Sequence, residues 1–200
     1  MEIFSKDMTN LIASLRNLPG IGMRSATRLA FYIVNGDKNQ MLKLAENITN
    51  ACNNIKRCKT CFSIASGDRC AICSNPNRNH KQIMVVESEQ GIAAYEETKE
   101  YNGVYHVLGG ALDPLKAVGP SQLKIKELVD RIVQGDCEEV IIATNSSEAG
   151  DLTASYLIKI LKDYNIKISK IASGVPFGGD IENIDPLTLG RALKGRTELS

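Results

Sequence analysis

The 200-residue chain carries 24 Lys and Arg against 23 Asp and Glu, with 43% hydrophobic and 24% charged residues. That is the balance of a soluble globular protein, and it excludes a uniformly basic nucleic-acid binder while leaving room for a local cationic patch. No apolar run reaches the ~18–20 residues of a membrane span. MEIFSKDMTN lacks the order of a secretory signal. With six cysteines suited to a reducing compartment, the expectation is a cytoplasmic protein without membrane contact.

Residues 8–17 place Met8, Leu11, Ile12 and Leu15 on one helical stripe. Leu18-Pro19-Gly20-Ile21-Gly22 then breaks the helix, and residues 23–34 restart it with Ala26, Leu29, Ala30 and Ile33 inward. Phe31 and Tyr32 are expected in the core. Helix, LPGIG, helix is the pattern of a helix-hairpin-helix motif. The glycine turn lets backbone approach a phosphate, and the first turn of the second helix presents unpaired N–H groups and a positive dipole end. Gly20, Gly22, Arg24, Ser25 and Arg28 are therefore the candidate DNA-binding residues, with Arg24 and Arg28 one turn apart. Such contacts go to the backbone, so they imply no sequence preference. The alternative is a hairpin that only packs. Residues 38–53 form a third helix, with Met41, Leu44, Ala45, Ile48 and Cys52 inward.

Cys58, Cys61, Cys70 and Cys73 follow as two Cys-x-x-Cys pairs with eight residues between them. Two residues between thiols let both sulfurs face one ion, and two such knuckles supply the four ligands of a closed structural Zn2+ site. The loop from Phe62 to Arg69 is short and polar, so the ion would replace the core it lacks. Lys56, Arg57, Lys59 and Arg69 surround the cysteines as a second possible cationic surface.

From residue 82 strands and helices alternate: strands at 82–87, 103–108, 138–144 and 166–172, helices at 88–98, 121–134 (capped by Ser121) and 152–164. The alternation predicts a parallel α/β sheet covered on both faces, with ligands at the carboxyl ends of its strands. Those ends carry Glu87 and the stretch from Asn145 to Asp151. His80 and His106 have no evident chemical partner and read as structural or surface residues. Asp185-Pro186 starts a last helix with Leu187, Leu189, Ala192 and Leu193, expected to dock on the core or on a neighbouring copy.

The two acid-bearing strand ends resemble the Toprim domain, in which a glutamate and a later aspartate pair hold catalytic magnesium. Glu87 matches the glutamate, whereas Asn145 and Ser147 stand where the aspartates would fall, which disfavours a hard cation. The order LPGIGMRSATRLAFYI, C-x2-C-x8-C-x2-C, IMVVES, YHVLGGALDPLKAVGP, IIATNSSEAGDLTA and ASGVPFGGDIENIDPLTLGRALKGR resembles the RecR family of bacterial recombination mediators, from about Leu11 to Arg196. The resemblance implies a helix-hairpin-helix region (1–55), a zinc finger (56–76), a Toprim-like domain (80–173) and a C-terminal oligomerisation segment (174–200). It implies a non-enzymatic protein that forms a ring-like homotetramer around DNA. With RecO, and often RecF, such a protein helps load RecA onto single strands. It assigns DNA contact to Arg24 and Arg28, and partner contact to the Toprim face, for which Glu87, Glu148 and Asp151 are the candidates. The chain departs from the family at Ala149, where a glutamate is usual, and at Met23, where proline is common. A magnesium-dependent Toprim enzyme and a zinc-stabilised interaction module without a DNA role are the alternatives.

Overall fold

A computed structural model describes residues 3–197. The chain divides into two compact units between Ile55 and Lys56.

The first unit holds α1 (Lys6–Arg16), α2 (Met23–Asn35) and α3 (Lys38–Asn54). Ser5 caps α1 by accepting from the Met8 N–H at 3.3 Å, and Asp37 caps α3 by accepting from the Gln40 N–H at 2.8 Å. Each cap stabilises its helix by about 1 kcal/mol. The core is small: Ile12 meets Ala26 and Ala30, with Met8, Leu11, Leu15 and Ile21 around them. Alanine on α2 lets the two helices approach closely, and that closeness fills the space between them. The third helix consequently finds no groove. Leu44 and Ile48 are 46% and 57% exposed, Cys52 is exposed, and only Met41 of α3 is even half-buried. The expected inward face of α3 is thus open, and Cys52 is not a core thiol. Phe31 and Tyr32, expected in the core, lie 42% and 62% exposed, with Phe31 edge-on to Phe4.

The second unit begins with a small antiparallel pair, β1 (Lys56–Arg57) and β2 (Ile64–Ala65), and a one-turn helix α4 (Ala71–Ser74). A four-stranded sheet follows: β3 (Asn79–Val86), β4 (Gly103–Val107), β5 (Glu139–Ile142) and β6 (Lys167–Lys170), in the order β4-β3-β5-β6 and parallel throughout. Helices α5 (Glu89–Thr98), α6 (Ile125–Gln134) and α7 (Glu148–Leu161) are its crossovers, and α8 (Pro186–Lys194) closes the described chain. Side chains alternate across the sheet. Ile83 and Val85 join Leu128 and Ile132 of α6 and Leu157 and Leu161 of α7 on one face. Met84 and Val86 join Ile92 of α5, Tyr105 and Val107 on the other. Each such leucine or isoleucine stabilises the fold by roughly 1.5–3 kcal/mol.

β3 starts at Asn79 rather than residue 82 and β5 ends at Ile142 rather than 144, and two helix starts differ more consequentially from the sequence reading. Residues 121–134 do not form one helix capped by Ser121. A 3-10 turn over Pro120–Gln122 comes first, Leu123 is buried, and the Lys124 N–H donates to the Leu108 carbonyl at 2.9 Å before α6 begins. The chain satisfies the end of β4 before it turns helical. The helix after β5 starts four residues earlier than periodicity indicates, because Ser147 accepts from the Gly150 N–H at 3.1 Å. Glu148 and Asp151 therefore stand in a helical first turn.

Candidate zinc and nucleic-acid sites

The first cysteine knuckle is shaped by backbone. The Phe62 N–H donates to the Cys58 carbonyl at 2.9 Å, the Cys58 N–H to the Ser63 carbonyl at 2.8 Å, and Phe62 takes a left-handed φ of 63°. The second uses the start of α4, where the Cys73 N–H donates to the Cys70 Sγ at 3.4 Å. The Sγ atoms of Cys58, Cys61, Cys70 and Cys73 all lie within 4.8 Å of one another, and all four residues are buried. Burial opposes ionisation of Cys58, but the N–H groups of Cys70, Cys61 and Thr60 outweigh it and hold the thiol at about 6. The hydrogen bond with Cys73, together with burial, pushes the Cys61 thiol up. Four sulfurs this close cannot all carry charge without a cation among them. A buried all-sulfur set with no open position fits zinc. The four cysteines form a structural zinc site, and the bound ion would supply cross-linking and charge neutralisation.

The zinc loop is anchored to the sheet. The Val107 N–H donates to the Cys61 carbonyl at 2.8 Å, and Phe62 and Ile72 pack against the face formed by Met84, Tyr105 and Val107. The loop thus covers part of the otherwise open edge of β4. Most cations around it are engaged. Lys59 pairs with Asp68 at 2.7 Å, Arg57 with Glu89, and the Arg69 guanidinium donates to the Cys73 carbonyl. Of that cluster only Lys56 makes no ion pair or side-chain hydrogen bond among the described residues.

The hairpin contrasts with this. Gly20 takes a φ of +78°, which only glycine adopts without strain, and the Ile21 N–H donates to the Leu18 carbonyl at 3.1 Å. Gly22 is the N-cap of α2, is extended, and places no side-chain acceptor on the first-turn N–H groups. A Cβ at Gly22 would meet nothing within 4 Å, so packing does not explain the missing side chain there. Arg24 and Arg28 are exposed and Ser25 is half-buried between them. Among the described residues neither arginine, nor Arg16, is in an ion pair. The five candidate residues therefore form one turn and one helical start with unsatisfied donors and unpaired charge.

At the carboxyl ends of β3 and β5 the connections depart in opposite directions, which creates the crevice where parallel sheets bind ligands. Glu87 lies there half-buried, with a hydrogen bond on each oxygen. Its two oxygens accept from the Asn145 N–H at 2.8 Å and from the Asn145 Nδ2 at 2.6 Å. A Cβ on Gly150 would run into the Asn145 carbonyl oxygen and crowd the Glu87 carboxylate, so glycine is needed behind this pair. Asp151 faces elsewhere: it pairs with Lys170 of β6 at 2.9 Å and Arg191 of α8 at 2.7 Å. The Lys170 hydrogen bond, ahead of the charges of Lys170 and Arg191, holds the Asp151 carboxyl below its usual range. Glu148 is exposed and in no ion pair among the described residues. The three acids do not converge. Among the described residues the cysteines are the one group of three or more potential ligands that does. His80 is exposed, whereas His106 is fully buried with its Nε2 on the Lys124 carbonyl at 2.7 Å. Sequence reasoning missed Asn145 as the lid on Glu87 and Arg191 as the partner of Asp151; no local spacing links residues so far apart in the chain.

These parts define a zinc-bearing α/β protein in which a helix-hairpin-helix unit precedes a Toprim-type sheet. Residues 8–52 match the RecR helix-hairpin-helix family, 55–75 the RecR four-cysteine zinc finger domain, 81–172 the Toprim domain and 174–197 the RecR C-terminal family. Recombination protein RecR of Carboxydothermus hydrogenoformans is 45% identical over 196 residues, covering 98% of each chain, and that of Koribacter versatilis is 45% identical over 199 residues, covering 100% of each. The chain belongs to the RecR family.

Proposed function

We propose that the protein is a non-enzymatic, DNA-binding mediator of recombinational repair in the cytoplasm. It assembles as a ring-like tetramer around DNA and, with RecO and RecF, helps load RecA onto single strands. The observation that carries this reading is that Arg24 and Arg28, in no ion pair among the described residues, stand beside the uncapped start of α2, while the zinc-loop cations are mostly engaged. Gly20, Gly22 and Ser25 shape the same phosphate-facing turn. The open apolar face of α3, with Leu44 and Ile48, supports a homo-oligomer, as do the exposed Leu187 and Leu193 of α8. Residues 1–55 grip DNA, 56–76 stabilise, 80–173 meet partners, and 174–200 join copies. Within the Toprim face Glu148 is the acid available to a partner, because Glu87 and Asp151 are occupied. A magnesium-dependent enzyme is the weaker reading, since Glu87 spends both oxygens on Asn145.

The test is salt-dependent binding to single- and double-stranded DNA. Wild type should lose affinity with a log–log slope of about −0.9 per duplex phosphate neutralised. Arg24→Glu with Arg28→Glu should abolish binding while thermal stability and zinc content stay unchanged. Undiminished binding by the folded double mutant would falsify the hairpin assignment.

A further inference from the structure

The hairpin that carries Arg24 and Arg28 has a second open side. Between α1 and α2 lies a groove of about 330 Å3. Thr9, Ile12 and Arg16, at helical spacing, form its α1 wall, Met23 and Thr27, one turn apart, form its α2 wall, and Phe4 stands before the start of α1. Ile12 is buried at its floor, whereas Met23 is 54% and Phe4 39% exposed. Phe4 is held edge-on by Phe31, with 5.6 Å between ring centroids. The small core of this unit thus leaves an aromatic ring and a thioether open beside one another's groove walls. No acid lines the groove. Arg16 is the one charge among its described lining residues, and it is in no ion pair or side-chain hydrogen bond there. Thr9 donates its hydroxyl to the Ser5 carbonyl at 3.2 Å. The half-buried Thr27 makes no side-chain hydrogen bond among the described residues.

The position of the groove says what fits it. Met23 and Thr27 directly precede Arg24 and Arg28, so the groove stripe of α2 adjoins the arginine stripe, about 100° round the helix. Met23 is also the first residue of α2, beside the N–H groups that Gly22 leaves uncapped. A phosphate held at that helix start has the groove at its side. A ligand that satisfies both is anionic at one end and flat, largely apolar and polar-edged at the other. We propose that the groove receives one unstacked nucleobase of a single DNA strand whose phosphate the turn holds. The base packs against Met23 and the Phe4 ring, the Thr27 hydroxyl meets its polar edge, and Arg16 neutralises an adjoining phosphate. The methionine thioether adapts to any base, so the contact carries no sequence preference. Duplex bases are paired and stacked out of reach. The groove therefore separates single strands from duplex, which phosphate contacts alone do not do. A second copy of this chain fits less well, because a two-fold contact through this groove sets Arg16 and Arg24 of one copy beside those of the other.

The inference rests on the reading that the hairpin binds DNA, and the test separates the two. The full-length zinc-loaded protein, as wild type, Phe4→Ala, Met23→Ser and Met23→Leu, is titrated with three ligands: a thymidine oligonucleotide, the same strand with abasic sites in place of its bases, and a duplex of equal length. Wild type should bind the thymidine strand more tightly than the abasic one. Phe4→Ala and Met23→Ser should each lose about fivefold or more on the thymidine strand, as expected for one stacked base, and should match wild type on the other two ligands. Met23→Leu should keep wild-type affinity throughout. An iodouracil in the strand should photocrosslink to a peptide that contains Phe4 or Met23. If wild type binds DNA and both disruptive variants match it on the thymidine strand, or lose equally on all three ligands, the groove takes no base and the hairpin reading stands. If wild type binds no DNA, the hairpin reading falls and this inference with it. A lower sedimentation mass for Met23→Ser would assign the groove to a second copy and overturn the proposal.

Discussion

Asn145 closes both oxygens of Glu87, one with its backbone N–H and one with its side-chain amide. Asn145→Asp replaces the amide donor with a second carboxylate facing the first. Two like charges this close disfavour the folded state or recruit a cation. The zinc-loaded variant should melt several degrees lower than wild type in Mg2+-free buffer without chelator and recover part of that loss in millimolar Mg2+, whereas the wild-type melting temperature should not respond to Mg2+. A wild-type protein stabilised by Mg2+ to the same extent would refute the closed crevice.

The zinc loop and strand β4 should fail together. Chelation, or Cys58→Ser, removes the charge balance of the sulfur cluster and frees the Cys61 carbonyl from its place over the Val107 N–H. Amide exchange should speed up first at Phe62 and Val107, while Ile83 and Val85 in the neighbouring strand keep their protection. DNA affinity should fall only after assembly is lost. Intact assembly with lost DNA affinity would place the loop on DNA directly.

His106 sets a pH dependence. Burial drives its imidazole from the ordinary 6.5 down to about 4, against the opposing hydrogen bond to the Lys124 carbonyl. The unfolded chain takes up this proton first, so the neutral-pH stability is present above 6.5, declines as pH falls from 6.5 to 4, and is lost below. The effect is on the order of 3 kcal/mol. Zinc is also released by acid. The difference in unfolding free energy between wild type and His106→Gln isolates the histidine, and NMR of the ring should show its midpoint near 4. A midpoint at 6.5 would refute it.

The two turn glycines should behave oppositely. Gly20→Ala forces a side chain into φ +78° and should cost about 1–2 kcal/mol of stability. Gly22→Ala meets open space at an ordinary φ, so its cost should be about 1 kcal/mol or less, that of a weaker cap. If phosphate approaches Gly22, that mild change should still weaken DNA binding measurably. Equal DNA affinity in Gly22→Ala would leave the arginines as the sole contact.

What was legible in the sequence was local. Cys58, Cys61, Cys70 and Cys73 announce their cluster by spacing, and the parallel sheet by alternation of apolar strands with helices. The start of α7 was hidden because Asn145, Ser146, Ser147 and Gly150 are turn formers around Glu148 and Ala149, and the Ser147 cap makes residues 148–150 helical. The open face of α3 was hidden for another reason. Leu44 and Ile48 have the periodicity of a buried stripe, and periodicity does not say whether the covering surface belongs to the same chain. The pairing of Glu87 with Asn145 depends on strand order, which sequence alone does not rank.

Strand β4 lies downstream of the zinc loop that leans on it. During synthesis the four cysteines leave the ribosome well before Val107 does. The finger can therefore take up its metal as a free knot on the nascent chain, but its seat exists only once the second parallel strand has been made. Zinc loading and zinc-finger docking can consequently be separate events in the birth of this protein, and a nascent chain that has exposed Cys73 but not yet Val107 outside the ribosome would display a metallated, unseated finger.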